Sequence, residues 1–213
     1  MRQKHFVIFV PGLGDDSRGL EFLSNHWLKH GFTPKIISFG WLDGKKFQPK
    51  LEGLLTLIDT LSQQGCLVSL VGTSAGGSAV LNAFLKRKNQ IHRVINICGR
   101  LRTGPITGLR SFSSKTSTSP AFAESIKLFE NREHLLSRTD RKKIMTMRPA
   151  FGDELVPPNT VSIAGSSNIT LPTVEHILSI ALSLSLFSKV LLRFLNSGNP
   201  LPSPTSHLQG PSL

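Results

Sequence analysis

Residues 67–87 read LVSLVGTSAGGSAVLNAFLKR. Leu67–Val71 is a short aliphatic and β-branched run, the composition of a buried strand. Gly72-Thr73-Ser74-Ala75-Gly76-Gly77 interrupts it, and Gly76–Lys88 then resumes as a helical pattern. A serine between glycines, where a strand gives way to a helix, has two readings. A small residue fits a tight turn, or the turn holds a hydroxyl up where a substrate can reach it. The glycines would let neighbouring backbone pass close to a strained serine, and the helix N-terminus favours negative charge developing beside it. Gly72–Gly76 fits G-x-S-x-G, a pattern short enough to arise by chance; the strand before it and the helix after it are what give it meaning.

Working outward, strands and helices alternate. His5–Val10 reads as a strand, Leu20–His30 as a helix, Lys35–Phe39 as a strand and Leu51–Gln64 as a helix with Leu54, Leu55, Ile58 and Leu61 at helical spacing. Arg93–Cys98 is the next strand after the central stretch. This rhythm implies an α/β protein, a mostly parallel sheet of about six strands with helices on both faces. It fails over residues 101–141, an insert after the fourth strand. The Gly/Ser/Thr-rich part up to Pro120 reads as a mobile loop, and Ala121–Leu136 as one or two helices. Lys143–Met147 and Thr160–Ala164 resume the strands. Glu175–Asn196 reads as one long helix, with Ser179, Ser183, Ser185, Lys189, Arg193 and Asn196 on a polar side and Ile180, Leu184, Phe187, Leu191 and Leu195 on a core side. Leu178, Leu182 and Leu186 interrupt the polar side; either neighbouring chain covers them or they form a dimer or membrane contact. Lys189 and Arg193 argue against a transmembrane span. Residues 1–196 form one domain in this reading, and the Pro/Ser-rich residues 197–213 a disordered tail.

The 213-residue length suits a single α/β domain. Hydrophobic residues at 39% and charged residues at 18% exclude a disordered chain. Cys66 and Cys98 are too few for a disulfide framework and read as small core residues, which favours a reducing, cytoplasmic compartment. The start, MRQKHFVIFVPG, has only five apolar residues before Pro11 and reads as a first strand, not a signal peptide. The balance of 25 Lys+Arg against 13 Asp+Glu suits nucleic acid, an anionic membrane surface or an anionic substrate, or solubility alone. Nucleic acid is disfavoured: aromatics are 7%, tyrosine is absent, and no binding motif is recognisable.

Serine is a poor nucleophile without a base, and the base needs an orienting acid. Of seven histidines, His5 begins a strand and His207 lies in the tail. His26 and His30 share a helix face with no evident third metal ligand. His92 falls at the wrong end of the sheet, and His134 in the insert. His176 follows the last strand and is the best candidate. Asp153 follows a late strand at the same edge, with Glu154 as the alternative acid. Oxyanion donors would be the N–H groups of Ala75 and of Leu13, the latter in the turn Pro11-Gly12-Leu13-Gly14. That turn is not a dinucleotide fingerprint, because position 17 is Ser17 rather than glycine.

These residues resemble the α/β-hydrolase family, over about Lys4–Phe194. The resemblance rests on Gly12-Leu13-Gly14, the Gly72–Gly76 elbow, Asp153 with Val156 three residues on, and His176, in the family's chain order. It departs at Pro11-Gly12, where the family commonly has His-Gly, and it lacks the family's first two strands. What it implies is a small serine esterase, lipase or thioesterase with Ser74, Asp153 and His176 as catalytic residues, needing no cofactor and no metal. Gly12, Gly14, Phe112 and Phe122 would contact a small-molecule acyl ester or thioester. The 101–141 insert would act as a lid or substrate wall; the alternative is a solvated basic loop, with Ile126 and Phe129 in an ordinary core helix. The chain would be a monomer or homodimer, with peripheral membrane contact open. The competing reading is a non-catalytic binding module on the same fold.

Overall fold

A computed structural model describes residues 3–104, 108 and 111–198. Six strands, β1 (His5–Val10), β2 (Phe32–Ile36), β3 (Leu67–Thr73), β4 (Ile91–Ile97), β5 (Ile144–Pro149) and β6 (Ser167–Leu171), form one sheet in the order β2-β1-β3-β4-β5-β6. Every neighbouring pair is parallel. The helices are α1 (Ser17–Ser24), α2 (Phe47–Gln63), α3 (Gly76–Lys86), α4 (Phe112–Thr116), α5 (Pro120–Arg132), α6 (Arg138–Arg141), α7 (His176–Leu184) and α8 (Ser188–Asn196).

The sheet is covered on both faces, which is why its strands read as continuous apolar runs. Along β1 the side chains alternate between two cores. Ile8 and Val10 join the layer of α2, α3 and α5, while Val7 and Phe9 join that of α1, α7 and α8. The first strand thus sits between β2 and β3, and the chain leaves it in opposite directions at a switch point where open α/β sheets form a crevice.

The insert contributes to the first of these cores. Phe122, Ile126 and Phe129 on α5 are buried there, and Phe122 meets Trp41 edge-on at 5.9 Å between centroids. A buried polar seam fastens α5 to α3: Ser78 and Ser125 hydroxyls pair at 2.6 Å, and Asn82 Nδ2 donates to the Ser125 carbonyl at 2.8 Å. Of the loop expected to be mobile, residues 105–107, 109 and 110 lie outside the described residues, as do 199–213 of the expected tail.

Several boundaries differ from the sequence reading. The second strand lies three residues earlier, after Gly31 ends a 3-10 turn in the left-handed region (φ 83°). Residues 160–164 are not a strand. Pro157 and Pro158 start a 3-10 turn, and the Asn168 side chain bonds both the N–H and the carbonyl of Ile163, holding the turn off the sheet edge so that pairing begins at Ser167. The expected long helix is two, α7 and α8, bent by 56°. In its first half the faces hold only in part: Leu184 is buried and Ser185 exposed, as the pattern predicts, but two of the serines are not on the solvent side. Ser179 and Ser183 are buried, bonding Thr173 (2.7 Å) and the Ser179 carbonyl (2.6 Å), while Ile177, Leu178 and Leu186 are exposed. Serines that return their hydroxyls to nearby acceptors pack inward as small residues. In the second half Leu191 and Leu195 are buried and Lys189 and Arg193 exposed, as the pattern predicts. No single helix among the described residues is long and apolar enough to cross a membrane.

If α5 is a layer of the core, Phe129→Ala lowers the unfolding free energy by about 3–5 kcal/mol in urea titration. A loss below about 1 kcal/mol would mean that α5 is not holding the sheet.

Candidate active site

Between Val68 and Phe84 every residue is buried except Ser74. The backbone explains this. Ser74 has φ 52°, in the left-handed region that a side chain avoids unless its surroundings hold it there. Its N–H donates to the Ile97 carbonyl at 2.9 Å, and its carbonyl accepts from Gly77 N–H at 3.0 Å. A Cβ at Gly76 would collide with the Val10 carbonyl, and one at Gly72 with the Gly76 backbone. Helix α3 therefore starts hard against the end of β1, and Ser74 is turned outward at the crest. A Cβ at Gly12 would lie 2.9 Å from Ser74 Cβ, so that turn is also bare because it meets the serine.

The other expected residues reach the same C-terminal edge. The loop after β5 carries Asp153 and the loop after β6 leads to His176, both buried. His176 Nδ1–H donates to Asp153 Oδ2 at 2.8 Å. Asp153 Oδ1 accepts the N–H groups of Leu155 (2.9 Å) and Val156 (2.8 Å), which fixes the carboxylate plane. Glu154 has a different place: its carboxylate accepts the backbone N–H of His176, at 3.1 and 3.4 Å. Glu175, at φ 68°, caps α7 by accepting from Leu178 and Ile177. The Leu178 N–H, then that of Ile177, holds the Glu175 carboxyl below its ordinary range. Two glutamates thus satisfy three N–H groups at the start of α7, and the imidazole is set by its own helix terminus. Nε2 of His176 is buried with no hydrogen-bond partner among the described residues.

Leu13 lies in a turn closed by Asp15 N–H to the Gly12 carbonyl (3.0 Å). Asp15, itself at φ 50°, accepts from Phe39 N–H (2.8 Å), Gly40 N–H (3.1 Å) and the Ser38 hydroxyl. Trp41 Nε1–H donates to the Pro11 carbonyl at 2.9 Å. The loop after β2 therefore clamps the turn after β1. Ser74, His176, Gly12, Leu13 and Gly14 all line one cavity of about 330 Å³, which runs between α1 and α7. Ala75 is buried directly behind Ser74. Phe112 and Phe122 are elsewhere: Phe122 is in the core, and Phe112 has the Arg100 guanidinium at 5.7 Å and the Lys127 ammonium at 5.5 Å from its ring centroid. Neither lines the cavity.

Three contributors escaped the sequence reading. Asp15 followed a glycine turn and gave no sign of its bonds across to residues 38–40. The cavity walls on α1 and α7 were hidden because Ser179 and Ser183, which read as a solvent side, are buried. Cys98 was read as a core residue; it is buried at φ 54° and its Sγ lies within 4.8 Å of ligand atoms of Asp153 and His176. Sulfur, oxygen and nitrogen so grouped can hold Zn²⁺. Here the imidazole and carboxylate bond each other, and burial, then the Asp153 charge, pushes the Cys98 thiol well up, which opposes the thiolate a metal requires.

No protein-family model and no curated protein matches the chain. Solved structures do. One is from the LipS and LipT pair, metagenome-derived lipolytic enzymes, with 15% identity over 90% of this chain and 91% of that one and a TM-score of 0.65. Est1E from Butyrivibrio proteoclasticus matches at 16% identity over 92% and 88%, TM-score 0.67. The thioesterase domain from the curacin biosynthetic pathway matches at 11% over 88% and 91%, TM-score 0.62. With the parallel six-stranded sheet, these matches identify the α/β-hydrolase fold.

Because Cys98 is enclosed and its thiol held protonated, the native protein should release about one equivalent of thionitrobenzoate from a disulfide thiol reagent at pH 8, from Cys66, and about two in denaturant. Rapid reaction of both thiols without denaturant would show that Cys98 is not enclosed.

Proposed function

We propose that the chain is a serine hydrolase cleaving carboxylic esters or thioesters through an acyl-enzyme on Ser74. The observation that carries this reading is the conjunction at one cavity: the one residue of the Val68–Phe84 segment that is not buried, held at φ 52°, beside a buried imidazole whose Nδ1 is committed to Asp153 and whose Nε2 is unpartnered among the described residues. A binding role would not need that set.

In this mechanism Ser74 Oγ attacks the carbonyl carbon and its proton passes to Nε2 of His176. Asp153 holds the ring orientation and favours the imidazolium that forms. The tetrahedral oxyanion accepts from the N–H groups of Leu13 and Ala75, the second at the start of α3, whose dipole favours negative charge. Collapse expels the alcohol or thiol, which takes the proton from Nε2. Water, deprotonated by His176, then attacks the acyl carbonyl and releases the acid and Ser74. The orphan Nε2 fits this sequence, because the hydrogen bond it lacks at rest is one that substrate binding and serine rotation supply. The lipolytic, esterase and thioesterase activities named for the structural matches are of the same kind.

A fluorophosphonate should add one adduct mass to the intact protein, mapped to Ser74 and absent in Ser74→Ala; an adduct on another serine would move the nucleophile. Asp153→Asn should lower kcat on a p-nitrophenyl ester by about 10³–10⁴-fold. Glu154→Gln keeps an acceptor for the His176 N–H and should change kcat by less than about fivefold. The opposite order of effects would exchange the roles of the two acids.

A further inference from the structure

The cavity beside Ser74 has a direction. From the serine and the Leu13 turn it extends between α1 and α7, walled by Leu20 and Leu23 from one helix and by Ile177, Ile180 and Ala181 from the other, with Leu155 added from the loop after β5. Its polar groups are mostly spent. Asp16 Oδ1 caps α1 by accepting from Gly19 N–H at 2.9 Å, and both Asp15 oxygens are bonded to residues 38–40. What these carboxylates leave for a ligand is their negative charge at the cavity wall, with no lysine or arginine among the lining residues to offset it.

We propose that the α1–α7 cavity is the acyl-chain subsite, and that it favours neutral acyl chains up to the length it encloses. This rests on the acyl-enzyme reading of Ser74 and adds to it which wall meets the substrate. Three observations carry it. The aromatic residues of the insert that could have walled the site, Phe112 and Phe122, do not line the cavity. At about 30 Å³ for a water-sized group, 330 Å³ holds on the order of ten such groups, enough for an acyl chain of about six to ten carbons once the carbonyl is seated. Ile177 both lines the cavity and is 68% exposed, so the subsite opens to solvent along α7 and a longer chain can run out over it. An acyl group with a terminal carboxylate would be repelled by Asp15 and Asp16 and find no cation to meet it.

The test is a series of p-nitrophenyl esters from acetate to dodecanoate, with the half-ester of a dicarboxylic acid matched in length to hexanoate, on wild type, Ala181→Phe and Phe112→Ala. Fluorophosphonate labelling of Ser74 is run on all three. Expected for wild type is kcat/KM rising by up to about fourfold per methylene until the cavity is full and then levelling, with the carboxylated ester at least about tenfold slower than hexanoate. Ala181→Phe fills the cavity: it should still be labelled at Ser74 and lose the rise beyond butyrate relative to its own acetate rate. A flat wild-type profile with Ser74 labelled would overturn the subsite and leave the nucleophile standing. So would a profile that survives Ala181→Phe but collapses in Phe112→Ala, which would return the acyl chain to the insert. Absence of labelling in all three would remove the acyl-enzyme and the subsite with it.

Discussion

Ser74 can keep its left-handed backbone only because the chain on either side of it is packed too closely to relax. A residue with a Cβ in that conformation costs about 1–2 kcal/mol. The cost is met by contacts that exist in no other arrangement: α3 against the end of β1 through Gly72 and Gly76, the Ser74 N–H on Ile97, and the Gly77 N–H on the Ser74 carbonyl. Each contact depends on β1, β3 and β4 lying side by side, and thus on both apolar layers that bury the sheet. The elbow is therefore a consequence of the whole core. The same packing that strains the serine leaves it alone half-buried in an otherwise buried segment.

The Leu13 turn, Asp153 and His176 are brought to the same edge as Ser74 by a different device. Parallel strands deliver all their outgoing loops to one edge, so the turns after β1, β3, β5 and β6 converge without any of them being near the others in sequence. Convergence alone does not orient an imidazole. Asp153 does so through the ring, while Glu154 and Glu175 do so through the backbone, by satisfying the first N–H groups of α7. On the opposite side Asp15 ties the Leu13 turn to the loop after β2. The cavity is thus held between two helices whose N-termini are both capped by carboxylates, Asp16 on α1 and Glu175 on α7.

The parts legible in the sequence are those governed by short-range pattern. Leu67–Gly77 could be read because a buried strand, a glycine turn and a helix leave local marks, and the strand alternation implied the parallel sheet. The order of Ser74, Asp153 and His176 was legible because each follows a strand. The α1–α7 wall was not, since the serines of residues 179–185 look like a solvent face and their hydroxyls can be satisfied internally, which only the fold reveals. Leu178, which interrupts the polar side in the sequence, is exposed together with Ile177. Phe112 and Phe122 looked like substrate contacts because the insert broke the rhythm; α5 instead extends the core of α2 and α3. Asp15 and Glu154 act across 25 and 22 residues of sequence, beyond any spacing argument.

The claim on which the account turns is that the elbow, the Leu13 turn and His176 form one pre-set arrangement around a tetrahedral centre. A crystal structure of the phosphonylated protein tests it most directly. The account predicts phosphorus bonded to Ser74 Oγ, the phosphoryl oxygen within about 3.1 Å of the Leu13 and Ala75 nitrogens, and Nε2 of His176 hydrogen-bonded to Ser74 Oγ or to a phosphonate oxygen. A phosphoryl oxygen directed away from both amides, or an imidazole still without a partner, would contradict it.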